Sequence, residues 1–137
     1  MNSTLRTITS IALLAMLGAC ATTPPMPDDA QARAQQRWDA QLAGDFDTAY
    51  AYFSPGYRAA FALDAYEAQM RARTVRWVGA TAVDQECEGT VCKVRISIEY
   101  DVDLATRGAG SITSVTSVVE RWIESDGTWY LVPDRLR

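Results

Sequence analysis

Cys87 and Cys92 stand in the stretch ECEGTVCKV, four residues apart with Gly89 between them. Two cysteines this close suit a redox pair, half a metal site or a structural cross-link. A redox pair usually has two-residue spacing at a helix start, where the thiolate is favoured. Here the spacing is longer, the flanks are strand-like, and Glu86 and Glu88 work against a thiolate. A zinc site would need histidines or a second cysteine pair, and the chain has no histidine. That absence also removes Ser-His-Asp and Cys-His triads and any His-Asp dyad. No acidic cluster at ligand spacing points to a carboxylate-held cation. Gly108-Ala109-Gly110 lacks the further glycine and the context of a phosphate cradle. No catalytic set, metal or cofactor is assigned.

The third cysteine closes a different pattern. Residues 1–7 carry one basic group, Arg6, and Ile8–Leu17 is mostly apolar. About 20 apolar residues are needed to span a bilayer, so this run is a secretory signal rather than a membrane helix. Its end, Leu17-Gly18-Ala19-Cys20, resembles the bacterial lipobox. The resemblance implies lipid on Cys20, cleavage between Ala19 and Cys20, and a lipoprotein held to a membrane by acyl chains such as palmitate. Ala21 stands where Asp would mark inner-membrane retention, so the expectation is an outer-membrane lipoprotein facing the periplasm of the cell envelope. Residues 1–19 would be the signal peptide. Residues 20–30 would be the lipidated Cys and a Pro-rich tether, and 31–137 the domain. An exported chain meets an oxidising compartment, where Cys87 and Cys92 are expected to form a disulfide.

A chain of 137 residues with 48% apolar and 22% charged content fits one globular unit. A net charge of −4 argues against nucleic acid as a partner. Asp28 or Asp29 can cap a helix over AQARAQQRWDAQLA, which Gly44 ends. Asp45 can cap a second over FDTAYAYF, whose Phe46, Ala49, Tyr50 and Phe53 share one face. Ser54-Pro55-Gly56 breaks the chain, and 57–73 reads as a third helix. From Val75 the period changes. Residues 94–102 alternate apolar and polar as a half-buried strand, with 78–87 as its hairpin partner. Residues 104–110 form a loop, and 111–124 a third strand rich in Ser, Thr and Val. Asp126-Gly127 makes a hairpin turn to a last strand, WYLV. Helices followed by an antiparallel meander make the class α+β.

This order, with RWDAQLAGDFDTAYAYFSP at the start and VVERWIESDGTWYLVP at the end, resembles the nuclear transport factor 2-like superfamily. The resemblance implies N-terminal helices packed into a curved antiparallel sheet that forms a cone, a pocket at its mouth, and a homodimer through the sheet. It leads us to expect a non-catalytic protein that binds a small apolar ligand or an envelope protein partner. One alternative is a cone-pocket enzyme of isomerase or dehydratase type using Tyr and carboxylate proton transfer. Another is a structural or assembly accessory acting through its sheet face. The residues that would line the pocket are Tyr50, Trp77, Tyr100, Glu120 and Trp122. Glu120 shares a strand face with Val118 and Trp122; its bland reading is a cross-strand partner for an arginine. The aromatics have their bland reading too, as plain core.

Overall fold

The computed structural model describes residues 29–104 and 110–134. The signal, the lipobox Leu17-Gly18-Ala19-Cys20 and all of the tether up to residue 28 lie outside the described residues. Four helices come first: α1 (Ala30–Leu42), α2 (Phe46–Ala51), α3 (Pro55–Ala60) and α4 (Leu63–Arg71). Four strands follow: β1 (Arg76–Glu88), β2 (Val91–Asp103), β3 (Ser111–Ser125) and β4 (Thr128–Val132).

Side-chain caps set three of the helix starts. Asp29 accepts from the Ala32 N–H, Asp45 from Thr48 and Ser54 from Tyr57. Pro55 follows Ser54 at the start of α3, where its missing N–H does no harm. The single helix expected over 57–73 is two. Phe61 turns extended at φ −136° and ψ 106°, and the Tyr50 hydroxyl donates to the carbonyls of Arg58 (3.1 Å) and Phe61 (2.7 Å). A distant side chain thus satisfies carbonyls that a continuous helix would have used.

The strands pair in sequence order as one antiparallel sheet, β1-β2-β3-β4. Asp126 and Gly127 both have positive φ in the last turn, as a tight hairpin requires. Two bulges, at Val78 and Val83, interrupt β1. They keep Trp77, Ala80, Ala82, Gln85 and Cys87 opposite Tyr100, Ile98, Ile96, Val94 and Cys92, on the face that α1 covers. The core lies between that face and the helices. Val94, Ile96, Trp122 and Leu131 meet Ala30, Ala34, Trp38, Phe53 and Tyr66 there.

The fold is α+β as expected, but the expected cone is not formed. The two edge strands, β1 and β4, do not meet, and each edge is engaged by the helical half instead. At β1, Ala82 donates to Gln35 Oε1 (2.8 Å), Gln35 Nε2 donates to the Ala80 carbonyl (3.1 Å) and Gln31 Nε2 to the Ala82 carbonyl (2.9 Å). At β4, Leu131 donates to the Tyr52 carbonyl (2.8 Å) and accepts from the Ser54 N–H (2.9 Å). With both edges occupied, the sheet stays an open four-stranded layer.

Candidate functional site

The buried face of α1 carries Ala30, Arg33, Ala34, Arg37, Trp38 and Gln41. The alanines let the helix approach the sheet. Arg33, Arg37 and Gln41 then recur every fourth residue, so a polar row runs through the interior. Each member is held. Arg33 Nε donates to the Trp129 carbonyl (2.7 Å), and its guanidinium lies 5.0 Å from the Tyr52 ring centre. Arg37 pairs with Glu120, and both side chains are almost fully buried. Gln41 accepts a hydrogen bond from the buried Tyr66 hydroxyl.

Glu120 is the anchor of this row. Its Oε1 accepts from Arg37 and from Trp38 Nε1 (2.9 Å), and its Oε2 accepts from Trp122 Nε1 (3.1 Å). Three donors hold the carboxylate in place. Burial pushes the Tyr66 hydroxyl above its ordinary pKa, and the Arg37 and Arg73 guanidiniums offset this only in part. Tyr66 is therefore a neutral donor at any physiological pH.

One hollow borders this network. It has a volume of about 300 Å³ and lies between the end of α1, α4 and the start of β1. Gln41, Leu42, Phe46, Met70, Arg73 and Trp77 are among its walls. The Arg73 guanidinium lies 4.1 Å from the Trp77 ring centre. Lost hydration there lowers the Arg73 pKa; Tyr66 acts against this and nearby Arg37 adds to it. Its neighbour Arg76 is paired with Asp101, but no carboxylate pairs with Arg73 among the described residues. A larger hollow, about 500 Å³ between Ser54–Gly56 and β4, has no such buried polar chain leading to it. Among the described residues no three His, Cys, Asp or Glu side chains gather as a metal site.

The residues expected at a pocket are dispersed. Trp77 walls the hollow and stands edge-on to Trp38 at 4.8 Å. Tyr100 is its cross-strand neighbour on β2, half-buried. Glu120 and Trp122 are bonded to each other in the core, and Glu120 takes its arginine from α1 rather than from a neighbouring strand. The Tyr50 hydroxyl is spent on backbone carbonyls. Cys87 and Cys92 face each other across β1 and β2 with Cα atoms 4.0 Å apart, and a disulfide joins them. The sequence does not single out Gln41, Met70 or Arg73 as site residues. For Gln41 the available signal is polar residues at helical spacing on the α1 face that also carries Trp38.

A small apolar ligand, or an envelope partner, received into a cone by a non-catalytic protein does not fit this geometry. The inner sheet face is filled by Trp38, Trp122 and Phe53, and the hollow beside α4 and β1 is edged by Gln41 and two arginines.

No family model matches the chain, and no curated protein does. Among solved structures it is similar to RPA3114, a SEC-C motif-containing protein from Rhodopseudomonas palustris. That match has 19% identity and a TM-score of 0.59, and covers 77% of each chain. It is also similar to Rv3472, a protein of unknown function from Mycobacterium tuberculosis. There the identity is 18% and the TM-score 0.47, over 74% of this chain and 65% of that one. At these identities the first likeness speaks for the fold alone. Neither the comparisons nor the open sheet supports the nuclear transport factor 2-like resemblance or the outer-membrane lipoprotein reading. They are corrected to an α+β domain with N-terminal helices and an open antiparallel sheet.

Proposed function

We propose that the chain is an enzyme of isomerase or dehydratase type, working on a small carbonyl compound in the hollow beside α4 and β1. The observation that carries this is the hydrogen bond from Tyr66 to Gln41, a residue that lines the hollow. The Gln41 oxygen is taken by Tyr66, so its amide NH₂ is left to donate to a guest. Arg73 brings a positive charge to the same hollow. An amide donor and a guanidinium suit the negative oxygen that forms when a carbonyl compound loses an adjacent proton. Glu120 pairs with Arg37, one helical turn before Gln41 on α1. In this reading Tyr66 and Glu120 are positioning residues, and Gln41 and Arg73 touch the substrate. Solvent, open to the hollow, takes up the proton; it returns one to another carbon to complete an isomerisation, or gives one to the departing hydroxyl, which leaves as water, to complete a dehydration. The Cys87–Cys92 disulfide supports work in an oxidising compartment.

The test is proton exchange. A panel of small ketones and 2-oxo acids is incubated with the protein in deuterium oxide and followed by proton NMR. Loss of the signal beside the carbonyl should outrun the buffer control for at least one compound. Gln41→Leu and Arg73→Met should each slow it about 100-fold. Exchange no faster than buffer across the panel would sink the reading.

A further inference from the structure

The polar row of α1 has a second outlet at its other end. Arg33 is only 5% exposed. Its Nε donates to the Trp129 carbonyl, and its guanidinium is stacked near the Tyr52 ring. The buried side-chain nitrogens without a partner among the described residues are Arg37 Nε and Arg58 Nε, so the terminal nitrogens of Arg33 are not sealed in the core. They open on a hollow of about 290 Å³ between α1 and α2, walled by Arg33, Asp47, Thr48, Ala51 and Tyr52. The last four recur at helical spacing along α2 and its cap, so they share one face. No ion pair joins Arg33 to Asp47, and neither has another ion-pair partner among the described residues. Lost hydration lowers the Arg33 pKa, with Tyr52 and Tyr130 acting against this. The guanidinium stays charged all the same.

We infer that this hollow is a binding site for a small free α-amino acid. The ligand carboxylate takes the terminal N–H groups of Arg33 side by side, and the ligand ammonium takes the Asp47 carboxylate. The planar fork of a guanidinium matches a carboxylate at two points. Here the fork is already held by the Trp129 carbonyl and the Tyr52 ring, so little side-chain freedom is lost when the ligand arrives. The Thr48 hydroxyl, which can donate or accept, serves either charged group. Two opposite charges share one hollow without neutralising each other, and an α-amino acid carries the complementary two. A simple carboxylic acid satisfies Arg33 but brings its only charge into the field of Asp47; a simple amine meets the reverse conflict. The pair therefore selects for a ligand bearing both charges. A volume of about 290 Å³ is at the small end for ligand sites and suits one amino acid. This hollow shares no lining residue with the one beside α4 and β1, so the inference does not rest on the activity proposed there.

The experiment is a titration of the full chain, isotope-labelled at nitrogen, followed through its amide NMR signals. The probes are glycine, alanine, serine and aspartate, with propionate and ethylamine as single-charge controls. The amide signals of Thr48, Ala51 and Tyr52 should move and saturate with at least one amino acid. Propionate and ethylamine should bind at least about tenfold more weakly than alanine, since each leaves one charge of the site unmet. Asp47 is exposed, so Asp47→Asn should fold as the wild type does by circular dichroism. It should weaken the amino acid about tenfold or more while leaving propionate no weaker than before. Arg33→Lys keeps the charge but loses the fork, and should weaken the amino acid about tenfold. No saturable movement with any of the four amino acids at millimolar concentration overturns the inference. So does propionate binding as tightly as alanine, or Asp47→Asn binding as well as the wild type.

Discussion

Ala82 gives its backbone N–H to the side chain of Gln35, and the same side chain gives its amide proton to the carbonyl of Ala80. One glutamine thus takes the place of a neighbouring strand at the edge of β1. Gln35→Leu should keep the helix but strand both backbone groups. Loss of about 1–3 kcal/mol is expected for groups deprived of a partner, read as a lower urea midpoint with an unchanged slope. An unchanged midpoint would mean water replaces the side chain at no loss.

Glu120 should behave as a structural anchor. Glu120→Ala leaves the buried Arg37 charge and two indole N–H groups without an acceptor. Breaking a buried pair by removing one partner costs about 3–5 kcal/mol, so this variant should fail to fold or melt far below the wild type. A variant with wild-type melting would show that Arg37 has found another anion.

The disulfide bridges a short hairpin, so its effect should be modest. The chain-entropy account gives about 2 kcal/mol for so small a loop. Cys87→Ser/Cys92→Ser, measured by denaturant unfolding, should lose no more than that and remain folded. A collapse of the fold would mean that the bridge also sets the β1–β2 register.

Alkaline pH should weaken the fold. Burial raises the pKa of Tyr66 and of Tyr57 above the ordinary value of 10.0. Above that value the unfolded chain releases these protons and the folded chain keeps them, so stability falls as pH rises. It is fully present below about pH 10. Absorbance titration at about 295 nm should show two tyrosines ionising late, together with unfolding. Tyr66→Phe should flatten the alkaline loss.

Regular elements were legible because local rules govern them. Asp29 and Asp45 cap the helices that their positions announce, and the alternation from Val94 to Val102 marks β2. The break at Phe61 was not legible, because its cause is Tyr50, eleven residues away in another helix. The alternation of β1 was blurred by Val78 and Val83, the bulged residues that reset its parity. The openness of the sheet was hidden for a similar reason: it follows from what Gln31, Gln35 and Tyr52–Ser54 bond to, and glutamines on a helix usually read as solvent-facing. Of the candidate site, Trp77 was found by its aromatic character. Gln41 does not stand out because polar side chains on a helix suggest a wet face, whereas here the row from Arg33 to Gln41 faces inward. Arg73 reads as a favourable charge near a helix end.

The occupied sheet edges also bear on how this protein meets other chains. A bare edge strand is a template on which a foreign strand can add, and then another, toward a fibril. Here β1 has a glutamine ladder from α1 along its middle, and β4 has the backbone of Tyr52–Ser54. Recruitment of an extended peptide by strand addition is obstructed at both ends of the sheet. Runaway stacking is obstructed in the same way, even though the broad face stays available for contact.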